Sequence, residues 1–138
     1  MKSFSARAKE ILNDSPQVHL ATLMPDGEPK VEPVWVEVEG DRILVATDAR
    51  TIKARNVALD ERVALSTTAV GDPYEQVLVR GRVAEVRDDS DLAVLDRLAA
   101  HHLGEPFHRR RWSERVVLVI EPSLVRHYKS PLSDLASK

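Results

Sequence analysis

The amino-acid sequence predicts a mainly β fold, a six-stranded antiparallel barrel with short helices. Two observations lead to this prediction. Segments rich in β-prone residues alternate apolar and polar side chains, and turn residues such as glycine, proline and aspartate separate them. Helical patterns occur only at the start of the chain, after the third strand and after the fifth. Most neighbouring strands are therefore joined by hairpins, which favours antiparallel pairing over a parallel sheet.

The chain is predicted to open with a short helix and a hairpin. Apolar residues recur at helical spacing, and the run Asn-Asp-Ser-Pro at 13–16 ends the pattern. These apolar positions are Phe4, Ala8, Ile11 and Leu12. Residues 17–24 are apolar and β-prone, and the Pro-Asp-Gly turn at 25–27 leads to a second strand that resumes at Lys30.

In this second strand, valines at 34, 36 and 38 alternate with Trp35 and two glutamates, so one face is buried and Trp35 lies on the other. A third strand is predicted at 42–47, a loop and short helix at 48–59, and a fourth strand at 62–68. Both predicted strands have about seven residues, a common strand length.

The second half of the chain continues the pattern with a long fifth strand at 74–86, in which Gly81 marks a bend or bulge. Capping residues then open a helix over 88–103. The last strand is predicted over 115–128, interrupted by Glu-Pro at 121–122. One domain at 1–130 and a frayed tail at 131–138 complete the predicted organisation.

Composition excludes several classes of site. The 138 residues include no cysteine, so disulfides, thiolate zinc sites and iron–sulfur clusters are excluded. A formal net charge of −2 gives no general attraction to nucleic acid or anionic membranes. The charged N-terminal segment is neither a signal peptide nor a membrane span, which predicts a cytoplasmic protein. The histidines lack the spacings of zinc sites, so no metal is predicted.

The most informative segment is 47–56, where a strand end leads into a helix start. It combines the hydroxyls of Thr47 and Thr51 with cations at Arg50, Lys53 and Arg55. Unpaired backbone N–H groups and the positive end of the helix dipole favour an anion at such a junction, and these side chains strengthen it. A phosphate fits this site, although a capped surface helix has the same residue preferences.

Other candidates are weaker as isolated signals. Trp35 stacks on a planar ring or fills a subunit interface. Gln76, on the long fifth strand, is either a contact to a ring edge or a solvated side chain. The run Arg-Arg-Arg-Trp at 109–112 is a solvated loop, a flap over an anionic ligand or a nucleic-acid patch. Glycine motifs of Rossmann and P-loop folds are absent.

Several segments together resemble the pyridoxamine 5′-phosphate oxidase-like, FMN-binding split-barrel family, and most closely its branch of coenzyme F420-dependent oxidoreductases. The matching segments occur in order along most of the chain: HLATLMPDG at 19–27, VEPVW at 31–35, KARNV at 53–57, DPY at 72–74 and VRGRV at 79–83.

The resemblance implies a split β-barrel that forms a homodimer, with two cofactor sites at the interface and each site built from both subunits. It implies that Lys53 and Asn56 bind the phosphate side of the cofactor, with Thr47, Arg50 and Thr51 beside them. Trp35 and Gln76 would lie near the ring. The family often has a second basic residue where this chain has Ile52, which shifts phosphate contacts toward Arg50 and Lys53.

The function implied is an oxidoreductase in which reduced coenzyme F420 delivers hydride to an unsaturated small-molecule substrate. No catalytic side chain is assigned, because the cofactor carries the reactive atom. Two alternatives remain open, namely an FMN-dependent oxidase or reductase and a non-catalytic dimer that binds flavin or deazaflavin. Nothing resembles a pyridoxamine-phosphate substrate signature, so vitamin B6 synthesis is not predicted.

Overall fold

The computed structural model describes residues 3–108 and 114–136, and these form one antiparallel sheet with four helices. The strands are β1 (Val18–Leu23), β2 (Pro29–Val34), β3 (Glu37–Glu39), β4 (Arg42–Asp48), β5 (Arg62–Ala69), β6 (Asp72–Asp88) and β7 (Arg115–Lys129). The helices are α1 (Ala6–Asp14), α2 (Ile52–Leu59), α3 (Ala93–Leu103) and α4 (Leu132–Ala136). Hydrogen-bonded neighbours follow the order β2-β1-β5-β6-β7-β4-β3.

The mainly β, antiparallel prediction is confirmed, but the count of six strands is wrong. The predicted second strand is divided between β2, which pairs with β1, and β3, which pairs with β4. Trp35 and Val36 lie between them, where the chain passes from one edge of the sheet to the other. The described strands form an open sheet rather than a closed hydrogen-bonded barrel, because β2 and β3 are its two edges.

Helix α1 packs against the inner face of the sheet, whose side chains share its apolar core. It contacts β5 and β6 in the middle of the sheet and β3 at one edge. The side chain of Asn13 accepts a hydrogen bond from the backbone N–H of Val38 at 2.8 Å, so the helix also pairs with a group on the edge strand. Ser5 caps the helix by accepting from Ala8 N at 3.1 Å. The predicted apolar face is confirmed, since Phe4, Ala8, Ile11 and Leu12 are all buried.

Two apolar clusters hold the layers together. The main core joins α1 to the inner face of the sheet, the face that carries Leu20, Leu65 and Val79. A smaller cluster of β4 and β7 side chains packs against Val94 of α3. Strand residues of opposite parity, such as Ala21, Ala64 and Leu78, lie on the outer face. This alternation positions the candidate site residues on two different faces.

Helix α3 begins at Ala93, later than predicted, because a buried aspartate caps it from a preceding turn. The carboxylate of Asp89 accepts from Val94 N at 3.0 Å and from Leu95 N at 3.2 Å. Leu92 adopts a left-handed conformation, with φ of 62°, between this turn and the helix. Asp89, one of the predicted capping residues, therefore caps the helix from outside it.

A short helix, α4, lies where the sequence suggests a frayed tail. Its first turn is held by Ser130, whose hydroxyl accepts from Leu132 N at 3.1 Å and whose carbonyl accepts from Ser133 N at 2.9 Å. The helix contacts β6. Within 3–108 and 114–136, no helix is long and apolar enough to cross a membrane.

The predicted bend at Gly81 is present as a register shift between β6 and β7 after Arg80. Gly81 lies opposite Pro122, and Pro122 fits within β7 because the ladder with β4 ends at Ile120. A Cβ atom at Gly81 would clash with the carbonyl oxygen of Glu121 and lie 3.0 Å from Pro122 Cα. Backbone on both strands would have to move to accommodate it.

We therefore expect Gly81→Ala to destabilise the protein by about 2 kcal/mol through overpacking. Urea unfolding at one fixed protein concentration measures this change. Gly81→Ala should unfold at a clearly lower urea concentration than Lys129→Ala, a control at an exposed position of neighbouring β7. Equal midpoints would contradict the steric role of Gly81.

Candidate functional site

The strand-to-helix junction predicted as an anion site is a compact hydrogen-bonded turn between β4 and α2. Thr51 is the N-cap of α2, and its hydroxyl accepts from Ala54 N at 3.4 Å and donates to the carbonyl of Asp48 at 2.8 Å. The hydroxyl of Thr47 lies 3.0 Å from that of Thr51. The sequence prediction that these residues come together at a helix N-terminus is confirmed.

Arg50 is held by an acidic neighbour. Its Nε atom lies 3.1 Å from Asp48 Oδ1, and its backbone N–H donates to the same oxygen at 2.9 Å. These hydrogen bonds, from the Arg50 side chain first, hold the pKa of Asp48 below its usual value. The carboxylate thus stays ionised and offsets the charge that Arg50 brings to the junction.

Lys53 points from the first turn of α2 toward the β1–β2 hairpin. Its Nζ atom lies 3.3 Å from Glu32 Oε2, and only 14% of its side chain is exposed. Glu32 also accepts from Lys30 Nζ at 2.5 Å through its other oxygen. Burial alone would raise the pKa of Glu32, but hydrogen bonds and charges from both lysines outweigh it and lower that pKa. The three side chains form a cation–carboxylate–cation cluster.

Asn56 lies one turn further along α2 and is 2% exposed. Its side-chain amide donates to Thr22 Oγ1 at 3.0 Å and lies 3.4 Å from Met24 Sδ. Both partners belong to the end of the first hairpin strand and its turn. In this arrangement, Asn56 fixes α2 on β1, which places Lys53 beside Glu32.

Trp35 lies apart from this group, in the crossing between β2 and β3. Its ring stacks on His102 with centroids 5.2 Å apart and planes at 19°, and it meets Phe107 edge-on at 6.5 Å. Burial first, and then the neighbouring His101, lower the pKa of His102, which favours a neutral ring against the indole. Trp35 therefore contacts the end of α3 in this chain.

Gln76 is also separate from the α2 group. On β6 it pairs with Thr68 of β5 and Tyr128 of β7. Its side chain shares the outer face with Leu78 and lines a groove of about 390 Å³ together with His19 and Thr68. Glu32 has the opposite parity from outward-facing Val31, so Lys53 and Gln76 lie on different faces of the sheet.

The structure thus brings together five of the seven predicted cofactor-binding residues on or beside α2, and it separates Trp35 and Gln76 from them. Lys30 and Glu32 were missed. The alternation Lys-Val-Glu on a strand directly after a hairpin turn was the available signal, because it puts both charges on one face. The run at 109–112, for which a solvated loop, a flap and a nucleic-acid patch are the alternatives, lies outside the described residues.

The donor set at α2 suits an anion. An ammonium group and the N–H groups of a helix N-terminus are groups that bind phosphate in proteins. Among residues 3–108 and 114–136, no group of three or more histidine, cysteine or carboxylate side chains is arranged to hold a metal ion. The charge of Lys53 and the N–H groups at the start of α2 make this junction a candidate anion site.

Comparison with known proteins gives one family match and many structural neighbours. The family model described as pyridoxamine 5′-phosphate oxidase matches residues 4–129. A solved structure named F420 reductase is 28% identical, with a TM-score of 0.76, over 86% of this chain and 94% of its own. A conserved hypothetical protein of Mycobacterium tuberculosis is 25% identical, with a TM-score of 0.73, over 94% of this chain and 86% of its own.

General Stress Protein 26 of Bacillus anthracis shares the fold at 20% identity, with a TM-score of 0.63 and coverage of 86% of this chain and 88% of its own. A search of curated proteins gives no match. The resemblance predicted from the sequence segments is confirmed by the family match.

Proposed function

This chain belongs to the pyridoxamine 5′-phosphate oxidase family, and from that premise we propose that it is an oxidoreductase that uses reduced coenzyme F420 to transfer hydride to an unsaturated organic substrate. The likeness to a structure named F420 reductase, which extends over 86% of this chain, carries the proposal. The cofactor supplies the hydride when it is bound. The protein binds it, orients it and limits access of water.

The phosphate of the cofactor would be held at the start of α2. Lys53 supplies the principal charge, because its carboxylate partner Glu32 also pairs with Lys30. Arg50, by contrast, binds Asp48 through both its side chain and its backbone N–H. The N-terminus of α2 supplies neutral N–H donors beside Lys53. The hydroxyls of Thr47 and Thr51 pair with each other, and that of Thr51 also donates to the carbonyl of Asp48, so they hold the turn in shape. Asn56 acts here by fixing α2 on β1, and a direct contact to the cofactor would require its amide to exchange Thr22 for the ligand.

A second copy of the chain would complete the site. Gln76 lies on the outer face of the sheet, whereas Lys53 contacts Glu32 on the other side of β2. A single cofactor would contact both Lys53 and Gln76 most directly if Lys53 came from one subunit and Gln76 from its partner. This geometry supports the homodimer with shared sites that the family resemblance implies.

The outer face has the character of a protein interface. Apolar side chains are exposed on three of its strands, with Val31 at 65%, Leu78 at 39% and Tyr128 at 48% exposure. Val31 and Leu78 line one groove of about 390 Å³ together with Ala21 and Ala64. Exposed apolar patches of this kind on soluble proteins commonly mark association surfaces.

A binding titration of the purified protein with coenzyme F420 and, separately, with FMN tests the proposed function, with cofactor fluorescence as the readout. We expect saturable binding of F420, weaker binding of FMN and a stoichiometry of one cofactor per chain. Light scattering coupled to size-exclusion chromatography should give the mass of a dimer.

The alternative outcomes are distinct. Tighter binding of FMN than of F420 would indicate an FMN-dependent oxidoreductase of the same fold. Stoichiometric F420 binding without oxidation of the reduced cofactor across a broad panel of enones, quinones and nitroarenes would indicate a binding protein instead of a reductase. Failure to bind either cofactor would reject the proposed function.

A further inference from the structure

The Lys30–Glu32–Lys53 cluster contains a carboxylate at the position where an anionic ligand would contact Lys53. Glu32 Oε2 lies 3.3 Å from Lys53 Nζ, and Glu32 Oε1 lies 2.5 Å from Lys30 Nζ. All three side chains are mostly buried, with 27% exposure for Lys30 and for Glu32. The two oxygens of one carboxylate thus serve two different lysines.

This arrangement makes the ion pair of Lys53 exchangeable. If Lys53 turns to another anion, Glu32 keeps a close ammonium partner in Lys30 and is not left as an unpaired charge. Leaving a partly buried charge without a partner is costly, so the second lysine lowers the cost of exchange. An anion that approaches Lys53 also meets the negative charge of Glu32 a few ångströms away.

We propose that Glu32 sets the affinity of the site for anions by competing with the ligand phosphate for Lys53, while Lys30 holds the displaced carboxylate. The inference rests on the proposed function, because it assigns a role at that same cofactor site. The carboxylate acts as an internal counter-ion. It weakens binding of anions in general, so an anion needs further contacts, such as those of the cofactor ring, to bind tightly.

The decisive variants are Glu32→Gln, Lys30→Gln and the double variant, with dissociation constants measured by fluorescence titration. Glu32→Gln should bind F420 and FMN about fivefold more tightly, the effect of removing one charge near the phosphate in a partly solvated site. Lys30→Gln should bind both more weakly, since Glu32 then has only Lys53. The double variant should match Glu32→Gln, because Lys30 acts through Glu32.

Riboflavin provides the phosphate-free control. It has the ring of FMN without the phosphate, so Glu32→Gln should leave its affinity unchanged. Equal tightening of riboflavin and FMN would mean that Glu32→Gln reshapes the ring pocket, and this would overturn the proposal. Weaker FMN binding by Glu32→Gln would do the same, because it would show that Glu32 orients Lys53 for the phosphate.

A measurement without cofactor separates this inference from the proposed function. Carbon NMR of the side-chain carboxyl of Glu32 reports its titration, which should shift when inorganic phosphate is added to the wild type but not to Lys53→Gln. If phosphate shifts the Glu32 titration in a protein that binds neither F420 nor FMN, the proposed function is rejected, but the competition of Glu32 with phosphate for Lys53 is supported. If the Glu32 titration does not shift at a high phosphate concentration, the proposed competition for Lys53 is wrong.

Discussion

Lys53→Ala is expected to weaken cofactor binding about 10- to 100-fold, the effect of losing one charge-assisted hydrogen bond to a phosphate. Lys53 is the α2 cation whose side chain is most enclosed, at 14% exposure, and it lies at the helix N-terminus. Fluorescence titration with F420 measures the loss, with riboflavin and FMN as the phosphate-free and phosphorylated comparison.

The fold should tolerate this substitution. Glu32 keeps its ion pair with Lys30 at 2.5 Å, so no buried charge is left alone. Thermal unfolding should shift by no more than a few degrees, as expected for loss of a partly exposed ion pair. Lys129→Ala removes the same charge from an exposed position on β7 and serves as the matched control. Unchanged cofactor affinity in Lys53→Ala would show that the cofactor phosphate does not bind at the start of α2.

Glu75→Gln is expected to lower the free energy of unfolding by about 3 kcal/mol, because it removes the charge of a buried carboxylate that is hydrogen-bonded to two cationic or titratable side chains. Glu75 is 4% exposed on β6. Its carboxylate accepts from Arg7 of α1 at 2.6 and 3.1 Å and lies 2.7 Å from His127 Nε2 of β7. The network ties α1 to the middle of the sheet. Urea unfolding at fixed protein concentration measures the loss.

Glu10→Gln is the matched control for this prediction. Glu10 also pairs with Arg7, but its side chain is 59% exposed. An exposed pair contributes about 0.5 kcal/mol or less, so the control should unfold close to the wild type. Equal effects of Glu10→Gln and Glu75→Gln would show that burial of the Glu75 carboxylate does not set its contribution.

The same network predicts a pH dependence. The hydrogen bond from Arg7 first, together with His127, lowers the pKa of Glu75 from 4.5 to about 2 against the opposing effect of burial. Because this pKa is lower in the folded state than in the unfolded state, the stabilisation is present above about pH 4.5 and is lost as the pH falls toward 2. Glu75→Gln should lose less stability than the wild type over that interval.

Local patterns were sufficient for several elements. The apolar spacing of α1, the hairpin turn at 25–27, the bend at Gly81 and the junction of Thr47 and Thr51 at α2 all depend on nearby residues and short-range geometry. The β-prone composition and alternation of 62–68 and 74–86 likewise identified β5 and β6 as strands, because side chains of a strand alternate with a period of two. The family resemblance could also be stated from short segments in order, and residues 4–129 match that family.

Other features depend on contacts between distant segments. The sequence pattern from Lys30 to Glu39 is continuous, yet its two parts belong to opposite edges of the sheet, because β1 and β4 offer separate partners. The ring of Trp35 meets His102 and Phe107 only through the placement of α3.

The sequence by itself determined the fold class, the family and the residue types of the candidate anion site at the start of α2. Only the tertiary structure decided how that site is balanced, by placing Glu32 and Lys30 of β2 beside Lys53 and by burying Asn56 against Thr22. The physical reason is that side-chain chemistry and spacing are local properties. Ion pairing and burial, by contrast, depend on strand register and on which face of the sheet a helix covers.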